Sequence, residues 1–267
     1  MSEPYTGPVP IAIHLHGGET HSASDGGPHS WFTPNYKFKG DGWGPRGVDK
    51  TLHYLNTQEA ATLWYHEHSQ LGLTRVNVYA GMAGFYFLRG PDEENDNLAG
   101  WSNDDLVQEV TPAGKVADAL HPGAYLPEIE IAIQDRMFDT KGQLYYPLDP
   151  TNPLIHPFWS PEFFGDVITV NGKSWPYLSV APRKYRFRLL NGSNARFYNM
   201  WLKNLATSAM GPAITQVGTD GGLLDSPATL GPGQKLLLGT GERADVIIDF
   251  SKLAKGTVLT LMNDANA

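Results

Sequence analysis

The sequence predicts an all-β protein made of Greek-key β-sandwiches or barrels, one incomplete and one complete. Three observations carry that expectation. Short apolar or alternating runs recur along the 267 residues, helical periodicity is scarce, and 29 Gly and 20 Pro are scattered between the runs. Short strands punctuated by turn residues build sandwiches and barrels rather than helical layers.

Strands are expected over residues 9–16, 61–66, 84–88, 128–134, 166–170, 184–190, 198–203, 214–217, 234–238, 244–250 and 257–262. The turn pairs Asn171-Gly172, Asn191-Gly192 and Asp220-Gly221 fall between them, as hairpins and Greek keys require. A Gly-rich loop over 17–47 follows the first strand. Composition changes over 91–126, where Asp92, Glu93, Glu94, Asp96, Asp104 and Asp105 mark an acidic linker or insertion, with a short helix expected within 98–110. The chain thus divides into a first unit, 1–90, and a second, 127–267. The second has strands enough for a whole sandwich. The first has three or four, which would leave sheet edges open, so strands from upstream of Met1 or from another chain are expected to complete it.

Composition narrows the chemistry. Hydrophobic residues make up 41% and charged residues 18%, as in globular chains. A net charge of −8 with no Lys/Arg run argues against nucleic acid or an anionic membrane as partner. The absence of Cys rules out disulfides, thiolate nucleophiles and Cys-ligated metals within these residues. No apolar run reaches the ~20 residues of a membrane span. Residues 1–10 lack the basic start and apolar core of a signal peptide, and composition leaves the compartment open.

The histidines are more informative. Four of the nine form two His-x-His pairs, His14-Leu15-His16 and His66-Glu67-His68, each at the end of an expected strand. Residues i and i+2 of a strand face one side, roughly 6.6 Å apart, so each pair presents two imidazoles together. Zinc, copper, iron and nickel all accept such ligands. A lone His is more often a surface or satisfied core residue, and His21, His29, His53, His121 and His156 are read that way, with His53 on a strand and His21 and His29 in the exposed loop. Trp64, Tyr65 and Trp159 are read as core packing. The basic stretch 183–188 is read as a half-buried strand, with Tyr185, Phe187 and Leu189 on one face, rather than as an anion site.

The residues around the pairs add a resemblance. His14-Leu15-His16-Gly17-Gly18, Ser24-Asp25-Gly26, Trp31-Phe32, Leu63-Trp64-Tyr65-His66-Glu67-His68 and the stretch 73–84 come in order. They are followed by Ile133-Gln134-Asp135-Arg136, Val170-Asn171-Gly172-Lys173 and Gly241-Glu242-Arg243-Ala244-Asp245. The set resembles the multicopper oxidases, in particular the bacterial branch of spore-coat laccases, phenoxazinone synthases and bilirubin oxidases.

That family has three cupredoxin domains, a trinuclear copper cluster between the first and third, and a type 1 copper held by two His and a Cys in the third. The chain is similar to late domain 1 and to domain 2, so the resemblance implies two cupredoxin-like units, only the first with copper ligands. It implies that His14 ligates the type 2 copper, that His16 and His66 ligate one type 3 copper, and that His68 ligates the other. It gives Asp25 a catalytic supporting role beside the cluster, orienting water or relaying protons. Glu67 stands where this branch usually has Asp, which leaves its hydrogen bond open. The partners implied are dioxygen, a small reducing substrate (phenol, aromatic amine, pigment or metal ion) and the C-terminal half of the same oxidase, which brings the type 1 site and the other cluster histidines. The chain alone is then expected to be inactive. An extracytoplasmic or spore-coat location is what the resemblance favours. The alternatives are a stand-alone copper-binding or structural cupredoxin module, and a degenerate relative with a binding role.

Overall fold

The computed structural model describes residues 8–43, 51–70, 73–90, 128–146 and 162–265. The acidic insertion and the helix expected within it lie outside these residues, as do His121, His156 and Trp159. Among the described residues, thirteen strands, β1 to β13, form three sheets, accompanied by one short α-helix, α1. β1 (Ile13–His16), β2 (Ala61–Glu67) and β3 (Ala83–Leu88) make an antiparallel sheet in that order, with α1 (Leu73–Tyr79) between β2 and β3.

The larger sheet has the order β10-β9-β12-β7-β4-β5-β6. Its members are β4 (Glu128–Arg136), β5 (Val167–Val170), β6 (Lys173–Ser174), β7 (Lys184–Asn191), β9 (Ile214–Gly218), β10 (Leu223–Thr229) and β12 (Arg243–Asp249). Only the β4–β7 pair is parallel. β11 (Leu236–Leu238), β8 (Tyr198–Asn204) and β13 (Leu259–Asn263) form the third sheet, in the order β11-β8-β13. The core between the second and third sheets is built by Ile133, Tyr185, Phe187, Leu189, Tyr198, Met200, Val246 and Ile248, all buried. Two sheets closed over one apolar layer are a sandwich.

Each of the eleven strands expected over 9–16 to 257–262 has a counterpart, although several are shorter; the strand expected at His53 has none. The first narrows to Ile13–His16, leaving Ile11 in an isolated bridge to Phe32. His53 lies on no strand: its backbone N–H donates to Ser24 Oγ at 2.9 Å, and Tyr54 makes only an isolated bridge to Thr20. Asn171-Gly172 forms the β5–β6 turn with both φ positive, 48° and 77°, as a two-residue hairpin of right-handed twist needs. β10 escaped the strand reading because Ser226 and Pro227 interrupt it; it sits at the sheet edge with a register shift, where Pro is tolerated. α1 escaped because Thr74, Val76 and Val78 are poor helix formers. Tertiary bonds hold it instead. Thr74 Oγ1 donates to Ser69 O at 2.6 Å, and the Tyr79 hydroxyl accepts from Met137 N at 2.8 Å and donates to Tyr145 O at 2.7 Å.

The 183–188 reading needs correction. β7 is buried on both faces, not one: Arg186 and Arg188 are 1% and 0% exposed. Tyr185, Phe187 and Leu189 face the sandwich core, while the arginine face packs against the β1-β2-β3 sheet. There Arg188 donates to Glu128 Oε1 and Thr62 Oγ1, each at 2.8 Å, and Arg186 pairs with Asp245 through two nitrogens. Arg89 grips Glu128 with both terminal nitrogens, each at 2.9 Å. Trp64, Val78 and Leu190 form an apolar cluster in the same interface. Arg188 also lies over the Phe87 ring, 5.2 Å from its centroid.

Burial pushes the Glu128 carboxyl up, but Arg188 and Arg89 outweigh that and hold it down at about 2, below an ordinary 4.5. A carboxyl depressed by folding contributes stability that is complete above its unfolded value and is lost as pH falls through the folded one. Glu128→Gln should therefore cost about 3 kcal/mol at neutral pH, since it leaves buried guanidinium charge short of a partner. Denaturant titration of wild type and variant should show the gap closing between pH 4.5 and 2. A gap that stays constant over that range would contradict this account of the interface.

Candidate metal centre

The register of β1 against β2 assembles the histidines. His14 lies directly opposite His66, and His16 opposite Trp64. The pairing runs one step past β2, where His68 N donates to Ala12 O at 2.8 Å. All four imidazoles therefore share the face that carries Thr62 and Trp64, while Leu15, Ala61 and Leu63 turn to the opposite face and build a small core with Leu88. The ligand atoms of His14, His16 and His66 lie within 4.8 Å of one another. His68 joins them by stacking on His14, with ring centroids 4.6 Å apart, and lies edge-on to His66 at 5.6 Å.

Backbone carbonyls orient three of the rings. His14 Nδ1 donates to Asp25 O at 2.6 Å, His66 Nδ1 to Glu67 O at 2.8 Å, and His68 Nδ1 to Gly26 O at 3.0 Å. Each of these bonds fixes a protonated Nδ1 and leaves Nε2 as the lone-pair donor. His16 is different: its Nδ1 lies 3.2 Å from His66 Nε2. Because His66 Nε2 carries no proton, His16 Nδ1–H is the donor in the metal-free chain. Burial pushes His16 down to about 4, helped by Arg243, and burial likewise brings His66 to about 4. Both rings are neutral at neutral pH, the form that binds metal ions.

Asp25 sits at the cluster edge, half exposed. Its Oδ1 is 3.4 Å from His14 Nδ1 and accepts from Thr20 Oγ1 at 3.1 Å. Glu67 points away from the rings and is buried. Its Oε1 accepts from Ala12 N and Ser69 N, clamping the start of β1 to the end of β2, while Oε2 finds no partner among the described residues. The hydrogen bond left open by Glu at this position thus exists. Trp64 is buried and packs on His66, with centroids 4.3 Å apart; Tyr65, expected in the core, is exposed. His21, His29 and His53 are exposed and stand outside the cluster, with His29 bonded to Asp41. The orienting carbonyls of Asp25, Gly26 and Glu67 carry no side-chain signal and could not be read from sequence.

Comparison with known proteins agrees with this geometry. No protein-family model matches the chain. A laccase of Bacillus stratosphericus is 40% identical over 266 residues, covering 96% of this chain and 44% of its own length. A multicopper oxidase of Arabidopsis thaliana is 39% identical over 262 residues, covering 98% of this chain and 39% of its own. The crystal structure of the McoA multicopper oxidase of Aquifex aeolicus superposes with a TM-score of 0.68 at 30% identity, over 96% of this chain and 46% of that one. Over the residues it spans, this chain belongs to the multicopper oxidase family. It spans about two fifths of the length of these curated relatives. The fold is accordingly cupredoxin-like, and the metal the family implies is copper.

The residues fit that metal. An all-imidazole donor set suits copper, three rings already present Nε2, and the fourth needs only a proton shift from Nδ1 to Nε2 to turn a lone pair toward His66 Nε2. Gly26 underlies this order. Its φ of 70° lies in the left-handed region, and a Cβ there would collide with the carbonyl of Ile13. Gly26→Ala should cost about 2 kcal/mol or more in thermal or denaturant unfolding. In the fraction that folds, NMR should show the Nδ1–H signals of His14 and His68 lost or shifted while that of His66 persists. Equal disturbance of all three would mean that the 25–26 turn does not hold the rings individually.

Proposed function

We propose that the chain supplies four histidines, His14, His16, His66 and His68, to the trinuclear copper cluster of a laccase-like oxidase that takes single electrons from a reducing substrate and reduces dioxygen to water. The observation that carries this reading is the convergence of four imidazoles on one sheet face, three of them oriented by backbone carbonyls. In this reading residues 1–90 are a partial copper-bearing cupredoxin domain, 91–126 a linker, and 127–267 a copper-free cupredoxin domain.

Copper bound here would supply one-electron redox chemistry and the site of dioxygen reduction. The chain's own residues would do the rest. His16 and His66, whose facing nitrogens are 3.2 Å apart, would share one type 3 copper. His68 would serve the other, and His14 the type 2 copper. Asp25, half exposed and beside His14 Nδ1, would pass protons between solvent and the cluster face; Thr20 Oγ1 holds its carboxylate in place.

Four imidazoles do not fill the coordination of three ions, so the other ligands would come from residues outside these 267. A Cys-ligated type 1 copper would also lie there, since the sequence holds no Cys. That further part of the oxidase, dioxygen and a phenol, aromatic amine, pigment or metal ion are the partners of this reading.

Two measurements test it. Anaerobic titration with Cu⁺, which is diamagnetic, should move His16 from Nδ1–H to Nε2–H in ¹⁵N imidazole spectra, while His14, His66 and His68 keep Nδ1–H. An unchanged His16 in excess Cu⁺ would end the ligand assignment. Oxygen consumption with a phenol should be absent from the chain alone and should appear when a polypeptide carrying the remaining ligands is supplied. Turnover by the pure chain would contradict the shared-site reading.

A further inference from the structure

The part of the chain without clustered histidines also reaches the centre. Arg243, at the start of β12, is buried and uses all three guanidinium nitrogens. Nε donates to Thr62 O, Nη1 to Gly241 O and Nη2 to Asp220 O, each at 2.9 Å. Nη1 also lies 3.3 Å from Asp220 Oδ1, and that carboxylate oxygen accepts the Arg243 backbone N–H at 2.6 Å. The guanidinium is therefore fixed between β2, four residues before His66, and the turn after β9.

Its far edge meets the residue that follows His16. Gly17 has φ 87°, and a Cβ added there would lie 2.7 Å from Arg243 Nη2 and 3.1 Å from Leu63. The turn ending β1 is thus seated on Arg243 with no room for a side chain. Gly241 lies against the same ring: a Cβ there would stand 3.7 Å from His16 Cε1 and 3.6 Å from Trp64 Cζ2. His16 is the one histidine of the four whose Nδ1 faces another imidazole instead of a carbonyl. Its orientation rests on these neighbours.

We infer that Arg243, held by Asp220, is a positioning residue for His16, through which the copper-free part of the chain sets the seating of one ligand. This rests on the reading of the histidines as copper ligands, but the seating itself can be observed without metal. A planar fork is needed to span Thr62, Gly241 and Asp220 together; lysine keeps the charge and loses the span.

The test uses Arg243→Lys and the milder Asp220→Ala, which removes a half-exposed carboxylate and keeps the guanidinium. In metal-free chains, ¹⁵N imidazole spectra should show the His16–His66 hydrogen bond weakened in both variants, with His14 and His68 unchanged. Cu⁺ affinity, measured against a competing chelator, should fall by about tenfold or more. The same substitutions in a His16→Ala background should cause no further fall. Unchanged His16 and His66 signals, or an undiminished loss of affinity without His16, would overturn the inference. If Arg243→Lys does not fold, Asp220→Ala decides alone. If the wild type takes up no Cu⁺, the copper reading fails, and the metal-free spectra still decide whether Arg243 seats His16.

Discussion

The cluster depends on a single antiparallel register. With His14 opposite His66 and His16 opposite Trp64, side chains that are distant in sequence come within roughly 5 Å at Cβ. A slip of β1 by one residue would turn His14 and His16 into the core that Leu15 shares with Ala61 and Leu63, and would put Leu15 on the face where His66 and His68 remain. Two features hold the register. The buried leucines have only one acceptable face, and Glu67 clamps Ala12 N and Ser69 N across the strand ends. One oxygen of that carboxylate stays unpaired among the described residues, so the clamp carries a desolvation cost.

The face that carries the rings is also the face that docks on the seven-stranded sheet. That interface combines a small apolar cluster with buried charge: Arg188 meets Glu128, Asp245 and Thr62, while Arg186 meets Asp245. Buried ion pairs add little net stability compared with apolar packing, but they tolerate few wrong arrangements. Thr62 shows the consequence. Its hydroxyl accepts from Arg188 and its carbonyl from Arg243, so two strands of the large sheet address one residue of β2. A docking error would strand several charges at once, and His66 lies four residues along the same strand.

Much of this was legible in the sequence, for identifiable reasons. The strands announced themselves through alternation and turn residues, and Asn171-Gly172 marked the turn after β5, although the short β6 beyond it was not among the expected strands. The two His-x-His pairs gave the clustered rings, because a period of two puts both rings of a pair on one face. What escaped was decided by tertiary contact. α1 forms from poor helix formers because Tyr79 and Thr74 find partners. The alternation in β7 suggested one wet face, yet the arginines are dry because a second sheet covers them. Burial of a charged face cannot be read from the strand that bears it, since its partners, Glu128, Asp245 and Thr62, lie far along the chain.

The same distinction separates His16 from its neighbours. Backbone carbonyls hold three rings, two from the 25–26 turn and one from the end of β2, so what matters there is the path of the backbone. In the proposed reading, His16 is the ring whose Nδ1 would turn to a metal ion, and a strong anchor on that nitrogen would oppose binding. Its ring must instead be held by shape, between Trp64, the Gly17 turn and the Gly241–Arg243 corner. Support by packing leaves the donor atom free and demands close approach, which is why a glycine follows His16. The least anchored of the four rings is therefore the one most dependent on the rest of the fold, and the sandwich without clustered histidines supplies one wall of its seat.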